Sequence, residues 1–369
     1  MMERRSSKQP LQGRRSRLQA ARLTRSRLAC PSRTPHRSTG SRSATITIAS
    51  ESALRDSSVT RLGGSLGAGY RRAVVVKASS AVNLLLKRVP PKRPPIVLIG
   101  HGRSGTSWIA NTLAKSPELI YYNEPCNPDR WPDAGFAAWF VHAEPGTDCP
   151  YLARAYSGAL RGLFVPGRAW RRPDLARRIF GSPRVLVKGV ASVMAAGWLQ
   201  QRYDAKMVSV YRHPCAVALS EHERDVDAPG SRAALLDSPT MWTGRYASFR
   251  GRLEEATEPF EIYGAVWGLR NRVLLDAQQA SPDWVALHYE ELAREPLPGF
   301  EKLFAQLDVA WTDEIRRFVS DTTSTHEEGY YATSRVSSKR IGRWKSELTS
   351  QQIDQTLTAA APFGVPFAE

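Results

Sequence analysis

The chain has 369 residues, 42% of them apolar and 10 of them Trp, enough for one large α/β core or two smaller ones. A net charge of +17 suggests a nucleic-acid binder, but residues 1–93 hold 21 Lys/Arg against Glu3, Glu51 and Asp56, whereas residues 94–369 hold 31 against 32 acids, so the isoelectric point says nothing of the folded part's substrate. Four cysteines (Cys30, Cys126, Cys149, Cys215) and seven histidines show no C-x-x-C or H-x-x-x-H spacing, which predicts no metal site and favours reduced thiols.

Residues 1–93 are Arg- and Ser-rich, poor in acids and without a sustained hydrophobic period, a composition that predicts disorder. Three readings fit: an organellar transit peptide, a basic arm for nucleic acid or anionic membrane, or an extension without function. The apolar run at 73–89 is interrupted by Lys77 and Asn83 and is too short for a membrane span. The expected location is therefore cytoplasmic, or stroma or matrix if the segment is a transit peptide. Pro90, Pro91, Pro94 and Pro95 around Lys92 and Arg93 read as a stiff linker opening a domain over 94–369.

The first element of that domain is the most informative. Ile96 to Ile99 predict a buried strand, which runs through Gly100, Gly102 and Gly105 into a helix over Thr106 to Ala114. Strand, tight loop and helix N-terminus form an anion seat, because loop amides converge where the helix dipole is positive. The spacing from Gly100 to Gly105 fits G-x-x-x-x-G-K-[ST], but Thr106 holds the lysine slot and the cation has moved to Arg103. The later strands VLVKG and MVSVYR lack a terminal Asp for Mg²⁺, which argues against ATP or GTP.

A short strand, Leu119 to Asn123, delivers Glu124-Pro125 to its end. Residues 126–182 predict an irregular insert shaping an acceptor pocket or lid, whose Trp131, Trp139 and Trp170 either stack on a sugar or aryl ring or fill the core. Strands follow at Val185 to Val190, Lys206 to Tyr211 and Trp284 to His288, with helices at Met194 to Tyr203, from Pro214, and at Glu261 to Ala280. Thr349 to Gln352 matches a capping box for a last helix. Alternating strands and helices predict an α/β fold with a mostly parallel central sheet flanked by helices.

Arg103-Ser-Gly-Thr-Ser-Trp108 resembles the 5′-phosphosulfate loop of sulfotransferases that use 3′-phosphoadenosine 5′-phosphosulfate (PAPS). The likeness runs over about 95–350 and implies a P-loop-like sulfotransferase fold, with Arg103, Ser104, Gly105, Thr106 and Ser107 at the phosphosulfate and Trp108 where cytosolic members stack a Trp on adenine. Arg212 and Ser220, eight residues apart in RHPCAVALS, match the family's 3′-phosphate motif; an arginine fork and a hydroxyl two turns into a helix suit one phosphate. SSKRIGRWKSELT resembles the segment that folds over the nucleotide, with Gly342 and Trp344 fitting Gly-x-Trp. Ser337-Ser338-Lys339 stands where cytosolic members have Arg-Lys-Gly, leaving Ser337, Lys339 and Arg340 as alternative contacts.

The family's cytosolic branch places a His two residues after the third strand's Lys; here Lys188 fits but Val190 cannot accept a proton. Glu124 occupies the place of a Glu in tyrosylprotein and several carbohydrate sulfotransferases, and is the expected base, with His101, His213 and His222 as runners-up. Lys188 and Arg103 would stabilise the sulfuryl oxygens. The resemblance implies PAPS as co-substrate, no metal, and a hydroxyl acceptor, with carbohydrate or glycolipid favoured by the YYNEP element. Two rivals remain: a kinase-like nucleotide enzyme, and an inactive domain carrying a nucleic-acid-binding arm.

Overall fold

Near-continuous runs of branched and aromatic residues make short strands that bury both faces, and that is how the sheet is built. The computed structural model describes residues 83, 84, 86, 87, 90–127, 139–163, 177, 178, 180, 181, 183–324 and 341–367, all within the unit 63–369. Among them, β1 (Ile96–Gly100), β2 (Leu119–Asn123), β3 (Arg184–Lys188), β4 (Lys206–Tyr211) and β5 (Val285–His288) form one wholly parallel sheet in the order β2-β3-β1-β4-β5. Ile96 and Leu98 point into one buried cluster with Ile109, Leu113, Phe300 and Phe304; Val97 and Ile99 point into another with Leu152, Tyr156, Val193 and Trp198. Helices therefore cover both faces, an α/β fold as expected.

The helices are α1 (Thr106–Leu113), α2 (Pro150–Leu160), α3 (Ala196–Tyr203), α4 (Pro214–His222), α5 (Ala228–Leu236), α6 (Arg250–Glu255), α7 (Pro259–Gln279), α8 (Tyr289–Arg294), α9 (Pro296–Gln306), α10 (Asp313–Ser324), α11 (Trp344–Glu347) and α12 (Ser350–Ala360). Helix α2 lies inside the stretch expected to be irregular: Leu152, Ala155, Tyr156, Ala159 and Leu160 do carry a helical stripe, made inconspicuous by its alanines. The third strand stops at Lys188, two residues early: Gly189, at φ −131° and ψ 57°, leaves the extended geometry and the chain turns into a 3-10 segment, Val190–Ala195. Both α7 and α12 start with capping boxes, Glu258 with Glu261 and Thr349 with Gln352. No helix among the described residues is long and apolar enough to cross a membrane.

Register sets the location of the chemistry. Asn123 pairs with Lys188, Leu98 with Lys188 and Gly100 with Val210, so the carboxyl ends of β1 to β4 finish together, with β1 central and its neighbours reached by crossovers on either side. A crevice at such a switch point is where open α/β sheets bind ligands.

Candidate active site

The loop from His101 to Gly105 leaves β1 and caps α1. Gly105 is the N-cap residue at φ 86°, with no side chain capping the helix, so the first-turn amides of α1 are left for a ligand. A Cβ there would lie 2.4 Å from the Tyr289 ring; glycine is required by both backbone and space. Arg103 also has a left-handed backbone, φ 67°, which turns its carbonyl toward Arg212 Nη1 (2.7 Å) while its own Nε donates to Ser220 Oγ (3.1 Å). The two expected phosphate contacts, one after β1 and one after β4, are thus joined directly.

Ser107 is exposed at the loop's far side and accepts a hydrogen bond from Lys188 Nζ at 2.9 Å. The same ammonium lies 2.7 Å from Glu124 Oε1, and Glu124 Oε2 accepts from the Asn127 amide. Glu124 is placed by backbone as well: its N–H donates to the Lys188 carbonyl at 2.7 Å, and its φ of 52° swings the side chain over the end of β3. One chain of contacts therefore runs from the anion loop through a cation to a carboxylate.

Arg212 and Ser220 line a cleft with Ala216, Leu219, Glu223, Arg343 and Trp344. Its second wall is the segment after Gly342, whose φ of 73° turns the chain so that Arg343 pairs with Glu223 and Trp344 stacks on His213, ring centroids 4.3 Å apart. His213 accepts from the Cys215 amide through Nδ1, and burial with nearby Lys345 and Arg212 pushes its pKa down to about 4. Ser104 Oγ and Arg212 Nε are among the buried side-chain polar atoms of the described residues that have no hydrogen-bond partner.

Of the residues singled out from sequence, Arg103, Ser104, Gly105, Thr106, Ser107, Glu124, Lys188, Arg212, Ser220 and Gly342 gather along this edge of the sheet. Trp108 is buried, edge-on to Phe300 at 4.9 Å and to Tyr289 at 6.2 Å. His222 is exposed and lies against Phe260. Trp139 is half-buried against Phe140. Ser337, Lys339, Arg340, Trp131 and Trp170 lie outside the described residues. Sequence reasoning missed Arg343, which follows the Gly342 turn into the cleft, and Tyr289, which backs Gly105 and stacks under the Arg212 guanidinium at 4.4 Å.

No family model matches the chain, and no curated protein matches it. Solved structures do. The sulfotransferase domain from the curacin biosynthetic pathway is 14% identical, with 75% of this chain and 99% of that one covered at a TM-score of 0.44. The sulfotransferase domain of the Synechococcus olefin synthase is 16% identical over 75% and 96% (TM-score 0.42), and a mouse sulfotransferase complexed with PAP is 15% identical over 75% and 87% (TM-score 0.38). All three are sulfotransferases.

Proposed function

We propose that this chain is a PAPS-dependent sulfotransferase, moving a sulfuryl group onto a hydroxyl acceptor, with Glu124 as the base. The observation behind this reading is the single ammonium of Lys188 held between Ser107 of the anion loop and the carboxylate of Glu124. A donor anion seated on the loop would bring its transferable group to that ammonium, and an acceptor hydroxyl approaching from the other side would meet Glu124.

The residues present suit such a donor. Ser104, Thr106 and Ser107, the free amides of α1 and Arg103 would hold the 5′ end; Arg212, Ser220 and Arg343 would hold the 3′-phosphate, which gives the unpartnered Ser104 Oγ and Arg212 Nε acceptors. PAPS would supply the sulfuryl group and leave as PAP. Glu124 would take the acceptor's proton as its oxygen bonds to sulfur, and Lys188 with Arg103 would offset charge growing on the sulfuryl and bridging oxygens. Ser337, Lys339 and Arg340 belong to the same proposal as further nucleotide contacts, and carbohydrate or glycolipid is the acceptor class it favours, from the Glu-ended second strand.

The test is calorimetric. PAP is expected to bind in the absence of metal and more tightly than ATP with Mg²⁺; preferential binding of ATP with Mg²⁺ would overturn the assignment in favour of a kinase-like enzyme. Label transfer from radiolabelled PAPS to acceptor pools then identifies the acceptor.

A further inference from the structure

Beneath the anion loop lies a buried ionic cluster that the reaction above does not use. Glu221 follows Ser220 on α4, is buried, and brings Oε1 to 3.7 Å from Nδ1 of His101, the fully enclosed first residue of the loop. A Cβ built on Gly102 would be 4.0 Å from the same oxygen. From α7, buried Arg270 donates to the Val190 carbonyl at 2.8 Å and covers the Phe140 ring at 4.9 Å, and Tyr263, bonded to the Val226 carbonyl, also faces the carboxyl. His101 Nδ1 lies 2.8 Å from the Gly102 carbonyl, and burial with Arg270 nearby holds the imidazole neutral. Two arginines act on Glu221 through their charge, Arg270 from α7 and Arg103 from the loop itself.

Burial pushes the Glu221 carboxyl up to about 7, against the downward pull of Arg270 and Arg103. It changes charge in the neutral range, one residue from the Arg103–Ser220 contact. A phosphate arriving on the loop would be a second negative charge across His101 and Gly102 from this carboxyl.

We infer that Glu221 is a positioning residue that sets donor affinity: ionised, its carboxylate stands beneath His101 and Gly102 as a negative charge opposing the donor's phosphate on the loop; protonated, it removes that opposition. This rests on the anion-loop reading above. Linkage fixes the sign, since a bound anion makes ionisation of Glu221 harder, so binding takes up protons and affinity drops as pH rises through neutrality.

The experiment measures PAP binding to the full chain by calorimetry at about pH 6 and pH 8, in wild type and Glu221→Gln, which resembles the protonated acid. The ratio of wild-type to variant dissociation constants cancels PAP's own ionisation and is expected to rise from about 1 at the lower pH to about 10 at the higher. A second readout needs no variant: at pH 8, where PAP is fully ionised, wild-type binding in buffers of different ionisation enthalpy should show net proton uptake. A flat ratio, or no proton uptake, while both proteins bind PAP would overturn the role of Glu221 and leave the donor site standing. Absence of PAP binding at every pH would overturn both.

Discussion

Lys188 serves two partners at once, the Ser107 hydroxyl and the Glu124 carboxylate, so substitutions at either end separate binding from turnover. Glu124→Gln keeps the shape and still accepts from Lys188 but cannot take a proton. Turnover should fall about 100- to 10,000-fold, with the PAP dissociation constant nearly unchanged; full turnover would move the base elsewhere. Arg212→Ala should act in the opposite way. It removes a fork aimed into the cleft and a bond to the Arg103 carbonyl, and should weaken PAP binding by about 10- to 100-fold by calorimetry. Arg103, Lys188 and Arg212 were legible in sequence because each sits at or just past a strand end, where register alone brings side chains together. Tyr289 and Glu221 were not. The first reads as an ordinary helix start and the second as an ordinary helix residue, and their importance depends on what lies opposite them, Gly105 and His101, across the fold.

At the scale of elements, α7 was legible by its apolar stripe, yet its glycines were silent. Gly264 packs on α12, where a Cβ would stand 2.3 Å from the Thr356 carbonyl oxygen, and Gly268 packs under Phe363. A backbone oxygen cannot rotate aside, so Gly264→Ala should cost about 1–3 kcal/mol and lower the melting temperature by several degrees. Gly251 on α6 has open space around its Cα, and Gly251→Ala should cause no loss, which separates crowding from helix propensity. The His213–Trp344 stack joins α4 to the C-terminal segment and carries a pH dependence. Because the folded His213 pKa, about 4, lies below the ordinary histidine value of 6.5, its contribution is present above the unfolded pKa and is lost as pH falls from there toward the folded one. Glu221 acts in the reverse sense over the same range, its raised pKa making folding more favourable at the acid end. The denaturation midpoint of His213→Asn, which can still cap α4, should therefore decline less than that of wild type between pH 7 and pH 5.

For the whole molecule, charge and packing place the working boundary of the domain at different residues. Nearly all the excess positive charge precedes Pro94, and the proline-rich stretch reads as a linker ending there. Leu86, however, is buried and its carbonyl accepts from Arg178; Arg93 pairs with Asp308 at 2.8 Å and with Glu118 at 3.5 Å, and the Pro94 carbonyl accepts from Arg184 at 2.5 Å. Composition reports where charge lies but not which side chains find a partner, and a single buried leucine in a basic, proline-rich context leaves no periodic signal. Two truncations distinguish the boundaries. A chain starting at residue 83 should keep the parent's melting temperature and PAP affinity, and any salt-dependent affinity for DNA should disappear with the 17 Lys/Arg it loses. A chain starting at residue 94 loses the Leu86 burial, about 1.5–3 kcal/mol, together with the Arg93 pairs, and should melt several degrees lower. Equal melting of the two would place the boundary at the prolines, and loss of PAP binding in the longer one would bring the basic segment into the site itself.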